Sequence, residues 1–203
     1  MMRGDYFLVM NDPLAGREAD YHDWYNNIHV PDLLRLPGVS AAQRFRAVPG
    51  LEAGAPLAGH LALYEFSDTS RALANLASRR GTHLLRPTDA TDRSRQAGHI
   101  MTVRHAGGTA GTARASRGAL ILLLTDSAEA AQTAFGLGKG AAEAALLERS
   151  PVQQMPDPHP AFAVLLAFAS GRAARKTWTA IAPLAGAGSA AAWEPVRERL
   201  VAS

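Results

Sequence analysis

Between Glu18 and Arg46 the chain crowds aromatic, acidic, amide and imidazole side chains into one run, with Trp24, Tyr25, Asn26, Asn27, His29, Pro31 and Asp32 at its centre. An imidazole tuned by its surroundings can take or give a proton near neutral pH, which makes His29 a candidate general acid or base. Asp32, three residues on, is the candidate to orient it. Tyr64 or Arg44 would stabilise negative charge developing on an enolate or phenolate. Tyr25, Asn26, Arg44, His60 and His83 are the candidates to contact a substrate. Plainer readings stand beside these. His29 could cap a frayed helix end, where its cationic form suits the helix dipole. Arg44 and Arg46 could form a solvated face, Trp24 reads as core, and His22 reads as a surface residue beside Glu18 and Asp23.

The elements that must position these groups follow from periodicity. Tyr6 to Met10 is an apolar run closed by Asn11, Asp12 and Pro13, and reads as a strand. Tyr21, Trp24 and Ile28 recur at helical steps from Arg17 onward. Pro31 has no N–H to offer and disfavours helical geometry at Val30, so the helix is expected to break near His29. A turn through Leu33 to Leu36 ends at Pro37-Gly38. Ala42 to Val48 alternates, with Arg44 and Arg46 sharing one face. Residues 49–59 read as a loop. His60 to Phe66 alternates again, placing His60 and Tyr64 together. Asp68 or Thr69 caps a helix that ends near Gly81. Residues 82–96 show no period, and Ile100 to His105 is a fourth strand, with His99 and His105 possible lining for a pocket mouth.

After a Gly- and Thr-rich linker over 107–117 the order repeats. Ala119 to Thr125 is a strand, Ser127 to Leu147 an alanine-rich helix interrupted by Gly136, Gly138 and Gly140, and Pro151 to Met155 a short strand. Ala161 to Ser170 is a strand, Arg172 to Leu184 a helix holding Trp178, and Ala190 to Val201 a last helix or helix-strand element. Both halves read β-α-β-β-α plus one more element, the split βαβ unit of ferredoxin-like folds. The expected fold is α+β, two tandem ferredoxin-like (βαββαβ) units forming an intramolecular dimeric α/β barrel. Their spans are 1–106, with the site, and 118–203.

Composition excludes much. The chain has no cysteine, so thiolate metal sites, disulfides and thiol nucleophiles are ruled out. His22 and His29 lack the i, i+4 spacing of a helical metal pair, and no metal is expected. Gly136-Leu-Gly-Lys-Gly140 lacks the phosphate-loop spacing. A formal charge of +3 and a pI near 9.7 come from dispersed arginines, so no nucleic-acid partner is expected. The N-terminal apolar run is too short to span a membrane, and a cytoplasmic protein is expected. Haem would need a lone axial histidine in an apolar pocket; His29 could serve, but Asn26, Asn27 and Asp32 argue against it. The expectation is no cofactor.

The segment E-A-D-Y-H-D-W-Y-N-N-I-H-V-P-D-L-L-R-L-P-G-V-S-A-A-Q-R-F-R, between Y-F-L-V-M-N-D-P and H-L-A-L-Y-E-F, resembles the EthD-like branch of the dimeric α/β-barrel superfamily. The pattern there is W-Y-x-x-x-H-hydrophobic-P-D, a P-G-hydrophobic turn and an R-F-R-like strand. The superfamily hosts polyketide cyclases, quinone-forming monooxygenases, isomerases, dehydratases and haem-binding branches. In several of these a first-helix histidine enters a pocket between sheet and helices, and His29 matches it. Ser127 to Leu147 carries no Trp, His or Pro-Asp, so the resemblance implies one pocket, in the first half. It implies a cofactor-independent cyclase, isomerase or dehydratase acting on a small hydrophobic or aromatic carbonyl compound, in a monomer or homodimer. The alternatives are a non-catalytic binding or assembly protein and a cofactor-free monooxygenase.

Overall fold

A computed structural model of the chain describes residues 5–109, 118–152, 160–197 and 199–202. The first half runs β1 (Asp5–Pro13), α1 (Glu18–Asp23), a π-helical turn (Trp24–His29), α2 (Val30–Leu34), β2 (Val39–Gly54), β3 (His60–Phe66), α3 (Thr69–Arg79) and β4 (Thr91–Gly107). The second runs β5 (Ala119–Thr125), α4 (Ala128–Leu137), β6 (Glu143–Arg149), β7 (Phe162–Phe168), α5 (Gly171–Ile181), β8 (Ser189–Pro195) and a two-residue β9 (Leu200–Val201).

Strand order is β2-β3-β1-β4 in the first half and β6-β7-β5-β8 in the second, one topology used twice. The free edges join, β4 to β6 and β8 to β2, and the eight antiparallel strands close into a barrel. Closure removes the exposed edges that each half alone would present. Alternate residues fill the barrel: Leu8 and Met10 of β1, Leu61 and Leu63 of β3, Leu120 and Leu122 of β5, Leu165 of β7 and Trp193 of β8. The intervening residues face outward beneath the helices. In the second half that outer layer is apolar, Ile121, Leu123, Leu166, Trp178 and Ile181 among it. In the first it contains Tyr21, Tyr25 and Tyr64.

The tandem pseudo-dimeric barrel is therefore the fold, with local departures from the sequence reading. The helix does not break at Pro31. Its backbone stays helical from Glu18 to Leu34 by widening to π register at Trp24–His29, where Val30 N–H bonds to Tyr25 O. The wider turn gives the proline ring room that an α turn would deny it. β2 continues to Gly54 where a loop was expected, because residues 52–54 pair with β8, and β4 starts at Thr91, opposite Pro13. The alanine-rich stretch is helical only to Leu137. Glu143–Arg149 is strand β6, since the gap between β4 and β7 must be filled for the barrel to close. The last element is likewise strand β8. Of the linker expected over 107–117, residues 110–117 lie outside the described residues. So do residues 153–155 of the expected short strand, whose first two form a turn. No helix among the described residues is long and apolar enough to cross a membrane.

Candidate functional site

Strand register builds one face of the site. Ala42 lies opposite Tyr64, Arg44 opposite Ala62, and Arg46 opposite His60, which also pairs with Asn11 of β1. Residues opposite one another in an antiparallel pair share a side. Asn11, Arg44, His60 and Tyr64 therefore face outward, under the helix that carries Tyr21, His22, Tyr25, Asn26 and His29.

At the centre lies Arg44, 3% exposed. Its Nη1 donates to Asn26 Oδ1 at 2.6 Å, and its Nη2 lies 3.5 Å from His22 Nδ1. The guanidinium sits over the Tyr25 ring at 4.2 Å and the Tyr21 ring at 5.2 Å. Desolvated cation–π contacts of this kind contribute about 2 kcal/mol. No carboxylate pairs with Arg44 among the described residues. Behind it, Tyr21 Oη donates to Asn11 Oδ1 at 2.7 Å and Asn11 Nδ2 donates to Tyr25 Oη at 3.1 Å. Burial pushes all three phenols, Tyr21, Tyr25 and Tyr64, above their ordinary pKa, so each is a neutral donor at any working pH. Tyr64 Oη lies close to Tyr25 without a well-aligned hydrogen bond.

His29 stacks on Trp24 at 4.3 Å and meets the Tyr25 ring edge-on at 5.2 Å. Its Nδ1 is buried with no hydrogen-bond partner, and burial lowers its pKa to about 4, helped by Arg44 and opposed by Asp32. The ring is neutral at physiological pH. His60 and His22 lie ring to ring at 5.1 Å, and both are pushed down, first by burial and then by Arg44. Asp12 Oδ1 is 3.5 Å from His60 Nδ1, held by Gly59 N–H and, through Oδ2, by Arg95.

The structure thus brings Tyr25, Asn26, His29, Arg44, His60 and Tyr64 into one layer. Two assignments need correction. Asp32 does not orient His29: its carboxylate, 5% exposed, takes two bonds from Arg86 and one from Arg35, because the helix turns it away from the sheet toward the loop after α3. His83 stands exposed on that loop, with no contact to the cluster among the described residues. His99 lies opposite Leu8 and so faces the barrel interior, while His105 meets Phe135 of α4, away from the site. Trp24 is not purely core, since its Nε1 donates to Arg86 O. The sequence reading missed Asn11, Asp12 and Tyr21 and placed His22 at the surface. A polar Asn11-Asp12 pair ending an apolar strand was the available signal.

The cleft beside Arg44 is narrow, about 10 Å³, room for about one water molecule, and is lined by Asn26, Val30, Ala42, Gln43, Arg44, Arg197 and Leu200. Wider openings lie on the second half. One of about 320 Å³ includes Trp193 and Arg175 and reaches Arg46, Val48 and Leu51 of β2, and one of about 670 Å³ runs between Thr125 and Gly188. Neither is lined by an imidazole or a phenol.

No protein-family model matches the sequence, and no curated protein does either. Solved structures do. An anthrone oxidase-like protein superposes with a TM-score of 0.65 at 11% identity, over 100% of this chain and 94% of that one. A putative monooxygenase from Fusobacterium nucleatum gives 0.57 at 11% identity, over 100% and 98%. A chlorite dismutase from Candidatus Nitrospira defluvii gives 0.50 at 10% identity, over 96% and 93%. The ferredoxin-like β-barrel fold is shared. The last likeness corrects one expectation: chlorite dismutase is a haem-dependent family, so the sequence-based expectation of no cofactor does not stand. His29 offers a neutral imidazole with an unbonded nitrogen, yet the adjacent cleft of about 10 Å³ is far below the roughly 300 to 1,000 Å³ of small-molecule pockets. The wider second-half openings hold no histidine. In this conformation the layer does not fit a porphyrin.

Proposed function

We propose that the chain is an enzyme that moves a proton on a small hydrophobic or aromatic carbonyl compound, through an enolate or phenolate held by Arg44. The observation that carries this is a buried arginine with no carboxylate partner among the described residues. Arginine keeps its proton in proteins, and buried charges are normally paired. A substrate that becomes anionic during reaction supplies the missing charge when it is needed, which is differential stabilisation of the transition state.

His29 is the acid/base group in this reading. Its neutral ring has a free Nδ1, and Arg44 is one of the groups that depress its proton affinity. When an anion forms beside Arg44 that field is offset, so the imidazole gains affinity as it receives the proton. Tyr64 and Tyr25 serve as neutral hydrogen-bond donors, and Asn26 fixes the guanidinium. The working unit is residues 1–106, with 118–203 completing the barrel, and within the superfamily the Trp24 to Asp32 motif aligns it with the EthD-like branch. The test is solvent-deuterium exchange into enolisable aryl ketones, followed by NMR. Arg44→Gln should slow exchange by about 100-fold or more; equal rates refute the role.

A second reading has one specific support, the names of two fold neighbours, an anthrone oxidase-like protein and a putative monooxygenase. Oxygen consumption with dihydroquinone-type phenols would select it over proton transfer alone.

A further inference from the structure

The His29 ring has no hydrogen bond at Nδ1 to set its angle, and it lies instead against the indole of Trp24, stacked at 4.3 Å with 21° between the planes. An imidazole acting as acid or base is ordinarily aimed by a hydrogen bond from its second nitrogen to a third group. Here the aim passes to a neighbouring ring, so whatever holds Trp24 also holds His29. Trp24 Nε1–H donates to the backbone oxygen of Arg86 at 2.9 Å. The side chain of the same arginine reaches Asp32: Nε donates to Oδ2 at 3.2 Å and Nη2 to Oδ1 at 3.1 Å, a fork on a buried carboxylate.

Trp24 opens the π-helical turn, His29 closes it, and Asp32 stands in α2 just beyond. Arg86 therefore grips the helix on both sides of His29, with its carbonyl at one end of the turn and its guanidinium past the other. A π turn is a rare helical form, found mostly at functional sites, and a grip at both ends fixes the span over which it could relax. Charge-assisted, two-bond contacts of arginine to carboxylate are the stronger and more directional kind, which suits a part that must hold an angle. We infer that Arg86 is a positioning residue for His29, acting through Trp24 on one side of the ring and Asp32 on the other. This rests on the acid/base role proposed above for His29 and adds the loop after α3 to that site. Asp32 serves as the anchor of the loop rather than as a partner of the imidazole. Its other partner, Arg35, donates to Oδ1 at 3.1 Å from the end of the same helix, and so answers the charge without tying the loop to Trp24.

The experiment is NMR of the full chain labelled at tryptophan and histidine, with acetophenone as the enolisable ketone. Arg86→Gln removes the fork to Asp32 at a half-exposed position, and Asp32→Asn weakens the same contact from the other side. In both variants the Trp24 indole N–H should exchange with solvent at least about 10-fold faster, and the nuclear Overhauser contact between the Trp24 and His29 rings should be lost, with circular dichroism unchanged. Solvent-deuterium exchange into acetophenone should slow by about 10-fold or more in kcat with little change in KM, since a misplacement of about 1 Å can cost 100-fold. Arg35→Gln, which also removes a bond to Asp32, should leave all of these readouts at wild-type values. The inference is overturned by wild-type indole exchange in Arg86→Gln and Asp32→Asn, by a ring contact that survives them, or by equal effects of Arg35→Gln. Unchanged ketone exchange in a variant that has lost the ring contact overturns it too. If the ring contact depends on Arg86 as stated while the wild type exchanges no ketone protons, the positioning of the ring by Arg86 stands and the proton-transfer reading falls.

Discussion

Replacing His29 by glutamine should make the protein more resistant to acid. In the folded state the His29 imidazole titrates at about 4, against 6.5 for a free histidine, because burial disfavours the charged ring. The unfolded chain therefore binds the proton more readily, and stability present above pH 6.5 is lost as the pH falls toward 4. The 2.5-unit difference is worth about 3 kcal/mol in full at about 1.4 kcal/mol per unit, and about 2 kcal/mol of it is lost by pH 5. Part of the ring reaches solvent, which screens the effect, so about 1 to 2 kcal/mol is expected. Urea denaturation at pH 7 and pH 5 would measure it. The wild type should lose that amount more than His29→Gln between the two conditions, with His22 and His60 contributing equally to both proteins. Identical losses would refute the burial argument and the assignment of a neutral, unbonded His29.

Three further outcomes follow from the packing. Glu65→Gln should destabilise the fold by about 3 kcal/mol, because it removes the negative charge from a buried ion pair whose two bonds, at 2.9 and 3.1 Å, join the Arg199 and Glu65 side chains, only 8% and 5% exposed; a loss under about 1 kcal/mol by denaturation would contradict it. Gly38→Ala should cost more than about 2 kcal/mol: the backbone there has φ of 97°, and an added Cβ would collide with Asp68 O and Ala72 N, so a near-neutral midpoint shift would count against the described turn. Pro31→Ala restores a donor to the π turn, where Asn26 O has no helical N–H and accepts from the Arg197 side chain, and should raise stability by about 1 kcal/mol; hydrogen exchange should then find a protected amide at position 31, and a fast-exchanging one would disprove the π register there.

Much of this architecture is legible along the chain, because alternation and helical periodicity are local. Parity alone puts Arg44 with Arg46 on one face of its strand and His60 with Tyr64 on one face of the next, and the register then places both pairs on the same side of the sheet. The repeated order of elements likewise contains the barrel. What local pattern cannot convey is a partner far away in sequence. Glu143–Arg149 has helix-forming residues, and only the vacancy between β4 and β7 makes it a strand. Asp32 looks like a companion to His29 at a spacing of three residues, yet Arg86, 54 residues on, claims its carboxylate. Arg197 bonds to a carbonyl 171 residues earlier, and nothing in its own surroundings marks it. Pro31 was readable as a disturbance but not as a change of helical register, since the extra room depends on what packs outside the turn.

In the proposed function, ligand chemistry belongs to the polar layer of the first half, although wider openings exist elsewhere. Chemical-shift mapping of the labelled full chain during titration with an enolisable aryl ketone tests this. The largest shifts are expected at Tyr25, Asn26, His29 and Arg44. Shifts confined to the groove lined by Thr133, Leu184 and Gly186 would place the site in the other half and contradict it.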